Sequence, residues 1–203
     1  MRRVLFNLEA YEAEPDFADD DWETPDGTNG SQPVAQAFAA LLQPHQRVLD
    51  CSAGSGRMAQ FYPPNVRCLE INSKRVEKGR DRAPQCQWEC SNFLKRLPAA
   101  EAEKVDAVIS NVPFSLGVEF LAHSRHWLTP TGYVLFLLPV AFWSTKGRST
   151  QLQEMNAVIQ HTYLFQGRVS YLRGDAPFKQ RQVDDAVFQI GFWGTSSTSY
   201  LGA

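Results

Sequence analysis

"VLDCSAGSGRMA", residues 48 to 59, is the stretch on which the fold reading turns. A short apolar run, Val48 and Leu49, ends at Asp50 and gives way to Ser52, Ala53, Gly54 and Gly56, after which Arg57, Met58 and Ala59 suit a helix. A strand, a glycine-rich turn and a helix in that order open an α/β unit. Glycine lets the backbone approach a ligand closely, and a helix start offers unpaired amides. The stretch is neither phosphate loop. No Gly-Lys-Ser/Thr ending follows, and Ala59 stands where a dinucleotide fingerprint has its third glycine. A G-x-G pair also occurs in plain tight turns, so the neighbouring segments must carry the rest.

Upstream, "SQPVAQAFAALL" shows helical spacing, with Val34, Phe38, Leu41 and Leu42 on one face and Ser31 as a candidate cap. Downstream, "NVRCLEIN" predicts a second strand and "SKRVEKGRDRA" a polar helix capped by Asn72 or Ser73. "CQWECSNF" predicts a third strand, "VDAVISNVPF" a fourth, "LGVEFLAHSRHWL" a helix and "GYVLFLLP" a fifth strand. Beyond Pro139 come a basic loop and helix over "STKGRSTQLQEMNAVIQ", a strand or hairpin over "TYLFQGRVSYL", an irregular polar segment and a last apolar strand, "AVFQIGFW". Strands alternating with helices, several of them continuous apolar runs, predict an α/β domain whose mostly parallel central sheet has helices on both faces. Ligands in such sheets bind beyond the carboxyl ends of the strands.

The chain of 203 residues is 43% hydrophobic and 21% charged, enough for one real core. The expected organisation is an acidic, partly disordered leader over residues 1–26, one domain over 27–195 with the target-recognition loops in 139–185, and a flexible tail over 196–203. "GYVLFLLPVAFW" is the run nearest to a membrane span, and Pro139 interrupts it after a strand-sized stretch. The N-terminal "MRRVLFNLEAYEAE" turns acidic at once and makes a poor signal peptide, so the expected location is the cytoplasm, with no membrane partner. Cys51, Cys68, Cys86 and Cys90 lack C-x-x-C spacing and read as reduced thiols with no metal site. Residues 8 to 26 hold nine carboxylates and no Lys or Arg. The rest of the chain then has 20 basic groups against 13 acidic ones, about +7 by formal charge, which permits a polyanionic partner.

Glu70 ends the second strand 14 residues after Gly56, where a carboxylate can accept bonds from the hydroxyls of a ribose. With Asp50 at the end of the first strand, the pair suits a ligand that carries a ribose and an amino group. Two strand-end carboxylates that merely cap helices are the alternative.

"VLDCSAGSGRMA", "LEIN" and "SNVPF" stand in the order and at the spacing of the class I S-adenosylmethionine-dependent methyltransferases. The chain resembles in particular the amino-methyltransferases with an Asn-Pro-Pro-Tyr/Phe motif, and among these the short phage and prophage DNA N6-adenine methyltransferases, over roughly residues 22 to 193. The resemblance implies the Rossmann-like fold of that class. It also implies S-adenosyl-L-methionine as cofactor, with S-adenosyl-L-homocysteine as product. The loop from Asp50 through Ser52, Ala53, Gly54 and Gly56 would cradle the methionine part, Glu70 would hold the ribose and Ile71 would pack on the adenine. Asn92, in "CSNFL", takes the place of an acid that contacts the adenine amine; an Asn that only caps a turn is the alternative. "DDWETPDG" resembles a Thr-Pro segment in these enzymes, which implies that Thr24 and Pro25 lie over the cofactor carboxylate with Trp22 nearby.

Asn, Pro and Phe at the end of a strand acquire a chemical sense in this setting. An exocyclic amine conjugated to a ring must have its lone pair drawn out of conjugation and aimed at the methyl carbon. Two fixed acceptors, the Asn111 side-chain oxygen and the Val112 carbonyl, can do that, with Pro113 shaping the turn and Phe114 offering a face for a flat base. Val112 stands where the motif has its first proline, and Asn-Val-Pro-Phe also resembles the Asn-Ile/Leu-Pro-Tyr/Phe of ribosomal RNA adenine dimethyltransferases. For nucleic-acid contact, Phe142, Trp143, Lys146, Arg148, Arg173, Lys179 and Arg181 interleave aromatics with bases on the later loops, as does Arg168. The expected function is methylation of the N6 amine of adenine in DNA by a monomer or homodimer. The alternatives are an RNA adenine methyltransferase, a protein glutamine methyltransferase, and an inactive cofactor-binding or nucleic-acid-binding protein of the same fold.

Overall fold

The computed structural model describes residues 22–23, 31–165, 172–173, 176–177 and 184–193. In chain order the elements are β1 (Trp22–Glu23), α1 (Ser31–Leu41), β2 (Val48–Asp50), β3 (Arg67–Glu70), α2 (Ser73–Arg82), β4 (Gln87–Cys90) and β5 (Val105–Ser110). They continue as α3 (Gly117–Trp127), β6 (Leu128–Pro139), α4 (Lys146–Glu154), β7 (Val158–Leu164), β8 (Leu172–Arg173), β9 (Ala176–Pro177) and β10 (Asp185–Gly191). Seven strands form the main sheet in the order β4-β3-β2-β5-β6-β10-β7. The pairings from β4 to β6 are parallel, and β10 runs antiparallel to both β6 and β7.

Burial explains why the inner strands read as continuous apolar runs. Leu49, Leu69, Val108, Phe136 and Leu138 face one layer with Phe120, Leu121 and Trp127 of α3. Val48, Cys68, Ala107, Ile109, Leu135 and Leu137 face the other, with Val34, Ala35 and Phe38 of α1. Successive residues of a strand point to opposite sides, so a strand covered on both must be apolar at every position. The expected sheet with helices on both faces is the one this chain forms.

Local boundaries differ from expectation in three places, each with a physical cause. The glycine-rich turn leads into no α-helix; a single 3-10 turn, Ala59–Phe61, follows it, and Tyr62 is already extended. Pro63 and Pro64 come next, and a proline lacks the donor a helix needs while forcing the residue before it out of the α region. Of the segment "NAVIQ", residues 158–160 belong to β7 and not to the preceding helix, because Asn156 takes a positive φ of 52° after the end of α4. The third strand closes at Cys90, after which Asn92 turns the chain. The expected cap of α2 is in place: the Asn72 side chain accepts the Arg75 amide at 3.2 Å. Of the expected leader over 1–26 only residues 22–23 are described, and the expected tail over 196–203 lies outside the described residues.

Gly56 is fixed by two independent constraints. Its φ is +80°, and a Cβ added there would lie 2.9 Å from the Gly79 Cα of α2 and 3.3 Å from the Trp88 ring. The first constraint disfavours any other residue, and the second sets helix α2 directly against the turn. Gly56→Ala is expected to destabilise the fold by about 2–4 kcal/mol, a fall in Tm of roughly 5–15 °C for a chain of this size. Gly147→Ala is the control, because a Cβ at Gly147 meets nothing within 4 Å. Thermal melts that place the two variants together would refute the packing argument.

Candidate active site

The parallel strands end at one rim, and their last residues are polar: Asp50 closes β2, Glu70 closes β3 and Ser110 closes β5. From β2 the chain crosses to β3 on one side of it, whereas β5 and then β6 lie on the other. Where strand order reverses in this way a crevice opens beyond the strand ends. Residues 51–56 fill the rim above β2, held by Cys51 N–H to the Ile109 carbonyl at 3.2 Å and Ala53 N–H to the Leu69 carbonyl at 2.9 Å.

Glu70 is buried and organises the glycine-loop side of the rim. One carboxylate oxygen accepts the Gly54 amide at 2.9 Å and the other the Asn72 amide at 2.9 Å. A carboxylate offers about four acceptor positions, so one side chain can tie two backbone segments together at once. Gly54 reaches its place with φ of +58°. The Glu70 carbonyl takes the Ser91 amide at 2.9 Å, which brings the Asn92 turn beside Glu70 and the half-buried Ile71. The Asn92 side-chain oxygen accepts the Leu94 amide at 3.0 Å and so caps its turn, with a second lone pair remaining. Arg82 of α2 clamps the loop from behind, donating to the Ser55 carbonyl and Oγ, both at 3.0 Å.

Asp50 lies deeper, 2% exposed. Oδ1 accepts from Ser110 Oγ at 2.8 Å and Ser52 N–H at 3.2 Å, and Oδ2 accepts from the Tyr62 hydroxyl at 3.0 Å. Its carboxylate is therefore engaged by the protein itself. Burial pushes the carboxyl up to about 6, against the pull of those donated bonds. Ser52 Oγ and Ser110 Oγ are 2.7 Å apart.

Asn111 follows Ser110 directly. Its carbonyl lies 3.5 Å from Ser52 Oγ, and neither its side-chain amide nor the Val112 carbonyl has a hydrogen-bond partner among the described residues. Val112 is buried at 2% and Phe114 packs partly buried between both hydrophobic layers. Pro113 accepts the Leu116 amide at 2.9 Å as the chain turns toward α3. Among the described residues, two acceptors without a hydrogen-bond partner thus follow the end of β5 beside the glycine loop, and Phe114 follows two residues after Val112.

The expected target-binding residues divide. Phe142 and Trp143 are not surface platforms: they are 3% and 2% exposed and pack edge to face at 4.7 Å between centroids. Gly117 makes the room, since a Cβ there would meet the Phe142 ring at 2.7 Å. The Trp143 indole N–H is buried with no acceptor among the described residues. Arg148 lies over the Phe142 ring at 4.0 Å and donates to the Phe142 carbonyl, whereas Lys146 is exposed. Arg173 and Trp22 are described only as paired strand residues, opposite each other in the small antiparallel sheet β1-β8-β9. Thr24, Pro25, Arg168, Lys179 and Arg181 lie outside the described residues.

No protein-family model matches the chain, and no curated protein matches its sequence. Solved structures do match. A TehB-like S-adenosylmethionine-dependent methyltransferase from Corynebacterium glutamicum aligns over 77% of this chain and 85% of its own, at 13% identity and a TM-score of 0.56. The glycopeptide N-methyltransferase MtfA, complexed with sinefungin, aligns over 82% and 94% at 15% identity and 0.57. TrmN from Thermus thermophilus aligns over 81% of this chain and 49% of its own, at 21% identity and 0.55. The chain has the Rossmann-like class I methyltransferase fold. Within that methyltransferase fold no helix of the described residues is long and apolar enough to cross a membrane.

Two polar residues at the rim were missed in the sequence. Ser110 was passed over because it precedes the recognisable motif, although its place next to Asn111 was a usable signal. Tyr62 carried none, since nothing in "AQFYPP" indicates that its hydroxyl turns back to Asp50.

The raised Asp50 carboxyl has a stability consequence whose sign follows from linkage. The native state holds its proton to higher pH than the unfolded chain, so the Asp50 contribution to stability falls as pH rises from about 4 to about 6, then levels. Asp50→Asn lacks this titration. Relative to wild type, its unfolding free energy is expected to improve by about 2 kcal/mol between pH 4 and pH 7. Urea denaturation of both proteins at the two pH values checks this, and a difference that narrows would mean a lowered carboxyl.

Proposed function

We propose that this protein is a methyltransferase that uses S-adenosyl-L-methionine to methylate the N6 amine of adenine in DNA. The observation that carries the reading is a pair of acceptors without a partner among the described residues, the Asn111 amide and the Val112 carbonyl, just after β5 and beside the glycine loop.

The residues present fit the cofactor. Ser52, Ala53, Gly54 and Gly56 expose backbone and small side chains where a methionine moiety needs close approach, and the two glycines hold φ values that admit it. Glu70 ends β3 beside the glycine loop, where a carboxylate would take the ribose hydroxyls, with Ile71 and Asn92 beside it for the adenine. Asp50 acts on the cofactor through the loop it anchors. When bound, the cofactor supplies an electrophilic methyl on a sulfonium sulfur and leaves as S-adenosyl-L-homocysteine.

The chain's own part is alignment. The Asn111 oxygen and the Val112 carbonyl would accept hydrogen bonds from the two N–H groups of the target amine, which draws its lone pair out of conjugation with the ring and aims it at the methyl. Phe114 supports the ring by stacking. The same two acceptors would stabilise the positive charge that builds on the target nitrogen as it takes the methyl group. The methylated nitrogen is then acidic and gives its proton to water, so no strong base is required.

DNA as substrate is supported by the flanking segments, which resemble the short phage-type enzymes, and by the basic balance of the chain outside residues 8–26. A ribosomal or other RNA adenine is the second reading, favoured by Val112 in the place of the motif's first proline. Phe142 and Trp143 support the target pocket as packed wall, not as stacking faces.

The test incubates the protein with methyl-labelled cofactor and, separately, unmethylated duplex DNA, single-stranded DNA and undermodified ribosomal RNA, then identifies the labelled nucleoside. Label in N6-methyldeoxyadenosine is expected. Asn111→Ala is expected to lower the rate by at least about 100-fold with cofactor affinity within about twofold of wild type. Label only in RNA would move the assignment to the second reading; cofactor binding with no labelled nucleoside would favour an inactive binding protein.

A further inference from the structure

Ser110 is an anomaly on packing grounds. It ends β5 at 0% exposure, directly after Ala107, Val108 and Ile109, all equally buried and all apolar. A small apolar side chain would fill the same place without a hydroxyl to satisfy. Instead its Oγ lies 2.8 Å from Asp50 Oδ1, 2.7 Å from Ser52 Oγ and 3.4 Å from the Ser52 carbonyl.

Each hydroxyl carries one proton, and that sets the direction of the chain. An ionised Asp50 can only accept, so Ser110 donates to it. Ser110 Oγ then accepts from Ser52. The chain runs Ser52 to Ser110 to Asp50, and it joins two loops that lie 58 residues apart in sequence. One of them is the glycine loop. The other is the peptide that carries Asn111, whose carbonyl sits 3.5 Å from the same Ser52 Oγ. The Asn111 amide has no bond of its own among the described residues to set its direction. Its aim therefore depends on its backbone, held by Ser110 before it and by buried Val112 and Pro113 after it.

We propose that Ser110 is a positioning residue, which through Asp50 and Ser52 holds the Asn111 acceptor in register with the glycine loop. This rests on the methyl-transfer reading above. Removing the hydroxyl leaves Asp50 one donor short and frees Ser52 to turn toward the Asn111 carbonyl. The expected consequence is a misaimed acceptor beside an intact cofactor loop.

Ser110→Ala and Ser110→Thr test it, compared in kcat, KM for the nucleic acid, affinity for S-adenosyl-L-homocysteine by calorimetry, and the NMR signals of the Asn111 side-chain amide. Ser110→Ala is expected to lower kcat by about 10- to 100-fold, with KM and cofactor affinity within about twofold, and to shift or double the Asn111 signals. Ser110→Thr keeps the hydroxyl and is expected to restore most of both. If Ser110→Ala does not fold, Ser110→Cys keeps the volume with a weaker donor and takes its place against Ser110→Thr. A kcat unchanged by loss of the hydroxyl, or lowered equally in the Thr variant, overturns the proposal, as does an equal loss of cofactor affinity. If the wild type methylates nothing, the methyl-transfer reading fails by itself, and the Asn111 signals decide: moved in Ala and restored in Thr upholds the positioning role, unmoved overturns it.

Discussion

A carboxylate buried without a cation beside it is the constraint on which the rim of this sheet depends. Among the described residues Asp50 has no ion pair, and its neighbours in the protein interior are Tyr62 and the thiols of Cys51, Cys68 and Cys86. Three neutral donors, Ser110, Ser52 and Tyr62, are what hold it. Hydrogen bonds to a charged group contribute about 1.5–3 kcal/mol each, while the effective penalty of burying the charge is several kcal/mol. The two are of similar size, so Asp50 adds little net stability. What it adds is direction. Three donors from three separate segments converge on two oxygens, and the glycine loop, the turn at Tyr62 and the end of β5 are thereby fixed relative to one another.

Glu70 repeats the arrangement one strand away, with backbone amides among its donors. Gly54 and Asn72 both point an amide at it, so the same carboxylate ties the glycine loop to the start of α2. The two acids divide the work. Asp50 joins β2 to β5 from below the loop, and Glu70 joins β2 to β3 beside it. Gly56, pressed against Gly79, closes the third side by seating α2 on the turn. A cavity built this way is largely formed before any ligand arrives, which lowers the ordering cost of binding.

The layered sheet was legible because burial on two faces leaves an unambiguous trace in β2, β3, β5 and β6, and the Asn72 cap because its chemistry is local. The missing helix after the glycine loop was legible in principle: Pro63 and Pro64 stand in plain view, and the glycine pattern overrode them. The insertion of β10 between β6 and β7 was not. That pairing depends on strands more than 20 residues apart in sequence and leaves no periodic mark. Asp50, Glu70 and Asn111 were singled out as candidates because residue type and spacing mark them. Ser110 and Tyr62 were not, because a single hydroxyl acquires meaning only from what lies opposite it. Phe142 and Trp143 were misplaced for the converse reason. An aromatic pair before basic residues looks like a binding face, and only Gly117 across the layer shows that it fits inside.

Val112 bears on the proposed chemistry in the same way. A proline at that position would stiffen the Asn111 peptide by fixing its own φ near −65° and by restricting the residue before it. Valine gives up both effects, yet it is 2% exposed and belongs to the cluster with Val118, Leu138 and Phe142. Packing can replace covalent stiffness where the side chain has little room to turn, and a β-branched side chain has few rotamers to lose. Rigidity at the acceptor pair then comes from two tertiary sources, the hydroxyl chain before Asn111 and the buried valine after it. It becomes a property of the folded core and not of the local sequence, so the departure at Val112 does not by itself argue against an aligned acceptor.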